Sequence, residues 1–338
     1  IRNIEEAIEI EALSAQGAAV YAAGNWGQAI TAFETLLSLD PTLEDQQIKE
    51  QLFMSYLNQI IQMLNQADAS IDDLNLAAEY YRKAVALFPQ SRQFADERQD
   101  LQEISSNLLE LKYTQTAKTL LADPLQDAST IADAVSYLRR AANIKPNNSA
   151  LQLDLKNAEY YQIGFRDFMD MKWNQAITNL EKIIAVDPNY AGGNARILLA
   201  ESYFLLGDQY FSAGFYQDAL TNLEQAELLT WEDRNNNLMR FFTTQILIGH
   251  TLGEMQEYEN ALSYYRYAAN EINLYGKLNS QSTLFTDFLE ANDLFAAENY
   301  EAAYEAFRNV FENVERVFTT REIEIEQTRV LAFLAEEN

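Results

Sequence analysis

The sequence predicts an all-α fold: a right-handed superhelical solenoid of about seven antiparallel helix pairs, several of them lengthened, closed by a C-terminal capping helix. Three observations predict it. Only 11 Gly and 5 Pro punctuate 338 residues, whereas a sheet-rich chain of this length needs many more turn residues. Hydrophobic residues make up 48%, which suits a packed interior and not a disordered chain. The length also exceeds that of a usual single core, so the chain should either divide into domains or stack repeats.

Self-similarity favours repeats. Gly207-Asp-Gln-Tyr210 leads through Gly214, Tyr216 and Ala219 to Leu223 and Ala226. Gly17, Trp26, Ala29 and Phe33 end at Asp40-Pro41, and Gly164, Trp173, Ala176 and Leu180 end at Asp187-Pro188. Gly249, Tyr258, Ala261, Tyr265 and Ala268 form a further copy, as do Ala291, Tyr300, Ala303 and Phe307. Two second helices lack so clear a first half: Ala77, Tyr81, Ala84 to Pro89, and Ala134, Leu138, Ala141 to Pro146. Packing explains the pattern. A small residue on the first helix faces an Ala of the second so that the backbones approach, an aromatic fills the wedge at the turn, and a large apolar residue enters the next groove. Proline after the second helix stops it.

In these spacings the chain resembles the tetratricopeptide repeat family. The resemblance implies a stack in which each pair's apolar face is covered only by its neighbours, with partner peptides held on a concave face made by first helices. The register departs from the family. The key alanines at 29, 77, 134, 176, 219, 261 and 303 are separated by 48, 57, 42, 43, 42 and 42 residues, against a family repeat of 34. The extra residues of the last four intervals fall before each first helix, as in Asn189 to Leu199, and are expected to lengthen it. The two long early intervals contain loops near 68–73 and 123–129, after which Ser70-x-x-Asp73 and Thr130-x-x-Asp133 read as capping boxes. The expected organisation is one array over 1–338: an irregular part over 1–150, regular repeats over 151–318, and a capping helix over 319–338 that opens at Thr319-x-x-Glu322.

Composition excludes several functions. With 24 Lys+Arg against 51 Asp+Glu, the net charge is −27 and the pI about 4.3. That surface repels phosphate backbones and anionic headgroups, which argues against nucleic acid and membrane surfaces and for a basic or amphipathic protein or peptide partner. The same charge also keeps a long array soluble. There is no cysteine and a single histidine, His250, so thiolate chemistry, Cys-ligated metal and two-His metal sites are excluded. No P-loop, GxGxxG, GxSxG or EF-hand loop occurs, and no stretch is long and apolar enough to span a bilayer. No catalytic residue, metal or cofactor is expected. A helical toroid glycosidase is disfavoured because Trp26 and Trp173 serve repeat turns and Trp231 sits where a terminating Pro would fall. The opening Ile1-Arg2-Asn3 suggests a mature form or excised region, and the absent cysteines with abundant Asn, Gln and Tyr suit an exported bacterial domain.

The family's groove offsets, carried onto this chain, give Tyr161, Phe165, Phe168 and Met169 in the fourth repeat and Glu201, Phe204, Asp208 and Phe211 in the fifth. The sixth contributes Ile246 and His250, and the seventh Phe288, Asn292 and Phe295. Such a face suits an apolar or amphipathic peptide, with Phe165, Phe204, Phe211 and Phe288 partly accessible and Glu201 and Asp208 at the rim. The competing reading is that curvature buries these rings as core. The family's basic carboxylate clamp is absent, since the matching positions hold Ser14, Ala18, Tyr161, Phe165, Phe204 and Asp208. A non-enzymatic binding scaffold is therefore expected, with a self-associating structural block as the alternative.

Overall fold

The computed structural model describes residues 4–43, 45–66, 69–87, 96–231, 238–271, 273–274 and 283–313. Among them lie fourteen α-helices and no strand. They are α1 (Ile4–Ala22), α2 (Trp26–Leu39), α3 (Gln46–Leu64), α4 (Ile71–Leu87), α5 (Asp96–Ala122), α6 (Ala128–Ile144) and α7 (Ser149–Met169). There follow α8 (Trp173–Ile184), α9 (Asn194–Ser212), α10 (Tyr216–Thr230), α11 (Leu238–Glu254), α12 (Tyr258–Glu271), α13 (Thr283–Ala296) and α14 (Tyr300–Glu312). Contacts divide the chain into two compact units, one of residues Ile1–Ala117 with Ser136–Leu155, the other of Lys118–Val135 with Lys156–Asn338.

The same turn joins five of the pairs, at the positions the sequence predicts. One residue takes a left-handed φ: Gly24 (73°), Met171 (57°), Gly214 (78°), Gln256 (65°) or Glu298 (57°). The next N–H then reaches back five residues, from Asn25 to the Val20 carbonyl (3.0 Å), Lys172 to Asp167 (2.8 Å) and Phe215 to Tyr210 (2.9 Å). Glu257 to Leu252 (2.8 Å) and Asn299 to Leu294 (3.0 Å) complete the set. This closure satisfies carbonyls that a helix end otherwise leaves unpaired. Aromatic pairs clamp it: Tyr21 on Trp26, Phe168 on Trp173, Phe211 on Tyr216 and Phe295 on Tyr300, with centroids 5.6, 5.1, 5.8 and 5.7 Å apart.

Three of the five turns hold a side chain where glycine would be unstrained. A left-handed φ costs an L-residue about 1–2 kcal/mol, while glycine's extra unfolded entropy costs about 0.5–1 kcal/mol. Met171→Gly, Gln256→Gly and Glu298→Gly are each expected to stabilise by up to about 1 kcal/mol, read as a higher urea midpoint. A triple variant with a lowered midpoint would show that the side chains hold these turns.

Between the helices of a pair, glycine meets a large residue sixteen positions on. A Cβ on Gly164 would lie 2.9 Å from Leu180 Cγ, and one on Gly207 would lie 2.7 Å from Leu223 Cγ and 3.3 Å from the Ala219 carbonyl. Gly17 faces Phe33, and Gly249 faces Tyr265, in the same way. The sequence places the alanine opposite the glycine; the nearest neighbour is instead the large residue one turn further on, which closes over the glycine from the second helix. Ala29, Ala176, Ala219, Ala261 and Ala303 are all fully buried.

Termini follow local chemistry with two corrections. The Ser70 box forms: Asp73 N–H donates to Ser70 Oγ (3.1 Å) and Ser70 N–H to Asp73 Oδ2 (2.8 Å). The Thr130 box does not, because α6 begins a turn earlier and Asp127 Oδ1 accepts from Thr130 N–H; a carboxylate is the better N-cap acceptor there. The second correction concerns length. The 21 residues of α7, 19 of α9 and 17 of α11 exceed the 12 of α8, 15 of α10 and 14 of α12, and the residues just before α13 lie outside the described ones. Before α9, however, residues 190–193 form a 3-10 turn rather than helix. The expected capping helix over 319–338, Pro89 and Asp68 lie outside the described residues.

Candidate functional site

The face predicted from the repeat offsets resolves into two kinds of position. Tyr161, Phe165, Phe168 and Phe288 are core, which corrects the accessibility expected of Phe165 and Phe288: they are 3% and 8% exposed. Neighbouring rings account for it. Tyr161 packs edge-on against Tyr190 (6.1 Å), its hydroxyl accepting from Gln126 Nε2, and burial raises its pKa. Phe168 packs on the turn residue Trp173, and Phe288 edge-on to Phe307 at 5.8 Å.

Phe204, Phe211, His250 and Phe295 are half-buried and Asp208 is exposed. Phe204, Asp208 and Phe211 share one stripe of α9, at spacings of four and three. Across from them, α11 places Arg240 over the Phe204 ring at 4.1 Å and His250 beside Phe211 at 6.5 Å. Phe295 of α13 is capped by Arg266 of α12 at 4.3 Å. Guanidinium on an aromatic face adds cation–π attraction and holds the ring in place.

Glu201 is not a rim charge. Its side chain is 9% exposed and its Oε1 accepts from Arg240 Nε at 2.6 Å. A pair this buried is held in one geometry, and removal of either partner strands the other in low dielectric.

His250 is half-buried and neutral at pH 7. Its Nδ1 hydrogen-bonds the Tyr265 hydroxyl, which donates when the ring carries its proton on Nε2. Tyr304 donates to the His250 carbonyl at 3.4 Å. Burial, then the nearby Arg308 cation, lowers the His250 pKa to about 4, with Glu312 and Glu254 opposing. Arg308 in turn donates to Glu254 and Glu312, both at 2.9 Å. Nothing here resembles a nucleophile–base pair, and no cluster of three or more His, Asp or Glu suited to a metal occurs among the described residues. No helix among those residues is long and apolar enough to cross a membrane.

Sequence reasoning missed Arg240 and Arg266. Arg240 lies 36 positions from Phe204 and 39 from Glu201 in sequence, so no local motif announces it. The available signal was an arginine on the first helix of the following repeat in a chain poor in basic residues.

No known family's sequence profile matches the chain, and no curated protein does. Solved structures do show likeness at low superposition scores. The apo form of RapI aligns over 96% of this chain and 86% of its own, with 12% identity and a TM-score of 0.31. The TPR domain of P58(IPK) covers 95% and 77%, with 16% identity and a TM-score of 0.29. The TPR2AB domain of yeast Sti1, in a pHSP90 complex, covers 88% and 98%, with 13% identity and a TM-score of 0.28. With its left-handed turns and glycine-to-large-residue contacts, the chain is similar to the tetratricopeptide-repeat proteins.

Proposed function

We propose that this chain is a non-enzymatic scaffold that binds a protein or peptide along the α9–α11 face and the adjoining aromatic positions of α13. The observation that carries the reading is the set of half-buried rings on first helices: Phe204, Phe211 and Phe295, with Asp208 and His250 among them. Half-buried rings held by cations and neighbouring rings are pre-organised anchors, since little side-chain freedom remains to lose on binding. The acidic chain, with Asp208 exposed beside the rings, favours an amphipathic partner that carries basic residues. We place all repeats of 1–338 in one array serving this purpose.

The test is selection of peptides from a random display library on the whole chain, followed by titration of the selected peptides. Enriched peptides should combine aromatic or aliphatic residues with Lys or Arg. Phe204→Ala should weaken them by about 2 kcal/mol, roughly 30-fold, and Asp208→Asn should chiefly slow association at low salt. Peptides that bind Phe204→Ala and Phe211→Ala as well as the parent would place recognition elsewhere. Concentration-dependent assembly in sedimentation, abolished by changes on this face, would favour the self-associating block instead.

A further inference from the structure

In the first unit two successive repeats build the same side-chain group, and the second copy changes one member of it. Counted from the key alanines Ala77 and Ala134, Tyr56 of α3 matches Tyr113 of α5, twenty-one positions before. Tyr80 and Lys83 of α4 match Tyr137 and Arg140 of α6, three and six positions after. The tyrosines pair alike, Tyr56 on Tyr80 at 5.4 Å and Tyr113 on Tyr137 at 5.8 Å between centroids. In the earlier copy a carboxylate completes the group: Glu34 of α2 accepts from the Tyr56 hydroxyl at 2.6 Å and from Lys83 Nζ at 2.8 Å. Glu34 lies five positions after Ala29, and the same offset after Ala77 holds Arg82. A cation stands where the acid was.

The later copy is correspondingly incomplete. Tyr113 is buried and its hydroxyl finds no acceptor, which is costly at that depth. Arg140 lies over both rings, 5.9 Å from the Tyr113 centroid and 5.6 Å from that of Tyr137, and donates through Nη1 to Asn75 Oδ1 at 2.7 Å. Among the described residues Arg140 forms no ion pair, and Arg82 forms neither an ion pair nor a hydrogen bond. Both arginines are exposed. They line a cleft of about 380 Å³ together with Ala78, Leu109, Tyr113 and Ile144, all of them in the first unit. The acid at the cleft, Glu79, is engaged by Lys83 at 3.0 Å.

We propose that this cleft takes a glutamate side chain of an acidic partner peptide, whose carboxylate engages Arg82 and Arg140 and has beside Arg140 the role that Glu34 has beside Lys83. Each guanidinium offers a planar fork of N–H donors that matches a carboxylate. The Tyr113 hydroxyl lies too deep to be touched; it marks the missing acid and does not bind the substitute. A carboxylate on exposed cations gains only about 0.2–1 kcal/mol per pair, so apolar contact has to add to it. Ala78, Leu109 and Ile144 offer that contact to the glutamate methylenes and to a flanking aliphatic residue, which favours a peptide over a free small acid. The net charge of −27 opposes an acidic partner at long range. Screening limits that field to about 8 Å at physiological salt, so the two local cations decide the contact. The site prefers the opposite charge to the α9–α11 face and stands without it.

Two readouts on the whole chain test it. Arg82→Glu restores the pattern of the earlier repeat from within, so its urea midpoint should exceed those of the parent and of Arg82→Gln, which removes the cation without supplying an acid. Heptapeptides randomised about a fixed central Glu, and a matched set with Gln there, are then panned and the enriched peptides titrated. The Glu set should yield binders that weaken roughly tenfold or more in Arg82→Glu and in Arg140→Gln. A midpoint in Arg82→Glu no higher than in Arg82→Gln overturns the proposal, because no acid is then missing. So does a Glu set that yields no binder, or a Gln set that yields binders as tight. Binders indifferent to both arginine substitutions place recognition elsewhere and overturn it too. Glutarate binding as tightly as the selected peptides would mark a small-anion site and overturn the assignment to a peptide.

Discussion

Phe165→Ala should lower folding stability by about 3–5 kcal/mol, the usual cost of removing a fully packed aromatic ring together with the cavity it leaves. Phe165 is 3% exposed on α7, on the same helix as fully buried Tyr161 and Gly164, and Gly164 is covered by Leu180. A repeat contact transmits its loss to the neighbours on which each pair depends. Urea denaturation followed by helicity reads the effect. Phe204→Ala, on a half-buried ring at the proposed binding face, should fall well short of that loss. Equal losses in both variants would mean that the α9 ring is core as well, and the proposed face would lose its principal anchor.

Acidification to pH 4 should cost the parent chain about 3 kcal/mol more than a His250→Gln variant. The sign follows from proton binding. With the folded pKa lowered to about 4 and the unfolded value near 6.5, only the unfolded chain takes up this proton between those limits. Stability is therefore intact above about pH 7, falls as pH drops through 6.5, and reaches its full deficit below about 4. The groups facing the ring all bear on the result. Tyr265 donates to the neutral ring; Arg308 repels the imidazolium; Glu254 and Glu312 are both paired to Arg308. Glutamine keeps an acceptor for Tyr265 and removes the titration, while the many carboxylates titrate alike in both proteins. Denaturation midpoints at pH 7 and pH 4 in the two proteins give the difference directly. Parallel losses would mean that His250 is not held neutral in the folded chain.

Much of the fold was legible because it is written in local chemistry repeated at a fixed spacing. Gly24 and Gly214 mark left-handed turns, and the aromatics at 26, 173, 216, 258 and 300 open second helices after each turn. Met171, Gln256 and Glu298 take the same conformation without glycine, and were found only because the surrounding repeat fixed their register. Prolines at 41, 146 and 188 follow second helices as expected. The start of α6 was misread by a turn because Asp127 and Thr130 both offer a cap, and sequence alone does not say which oxygen reaches the free N–H groups.

The sequence by itself determined that the chain is built of helix pairs and where five of the turns fall, because those features are local; that the large residue sixteen positions on, rather than the alanine, closes over the glycine was decided by packing. Tertiary structure alone decided which rings of a common stripe are covered. Tyr161 and Phe204 occupy like offsets, fifteen positions before Ala176 and Ala219, yet one is buried and the other keeps an accessible edge beneath Arg240. It also decided that Glu201 is a buried ion-paired carboxylate with one oxygen unmet rather than a rim charge. Both outcomes depend on side chains more than thirty positions away, brought close by the packing of one repeat on the next. No helical periodicity encodes that, because the periodicity of a helix reports only which residues share its own face.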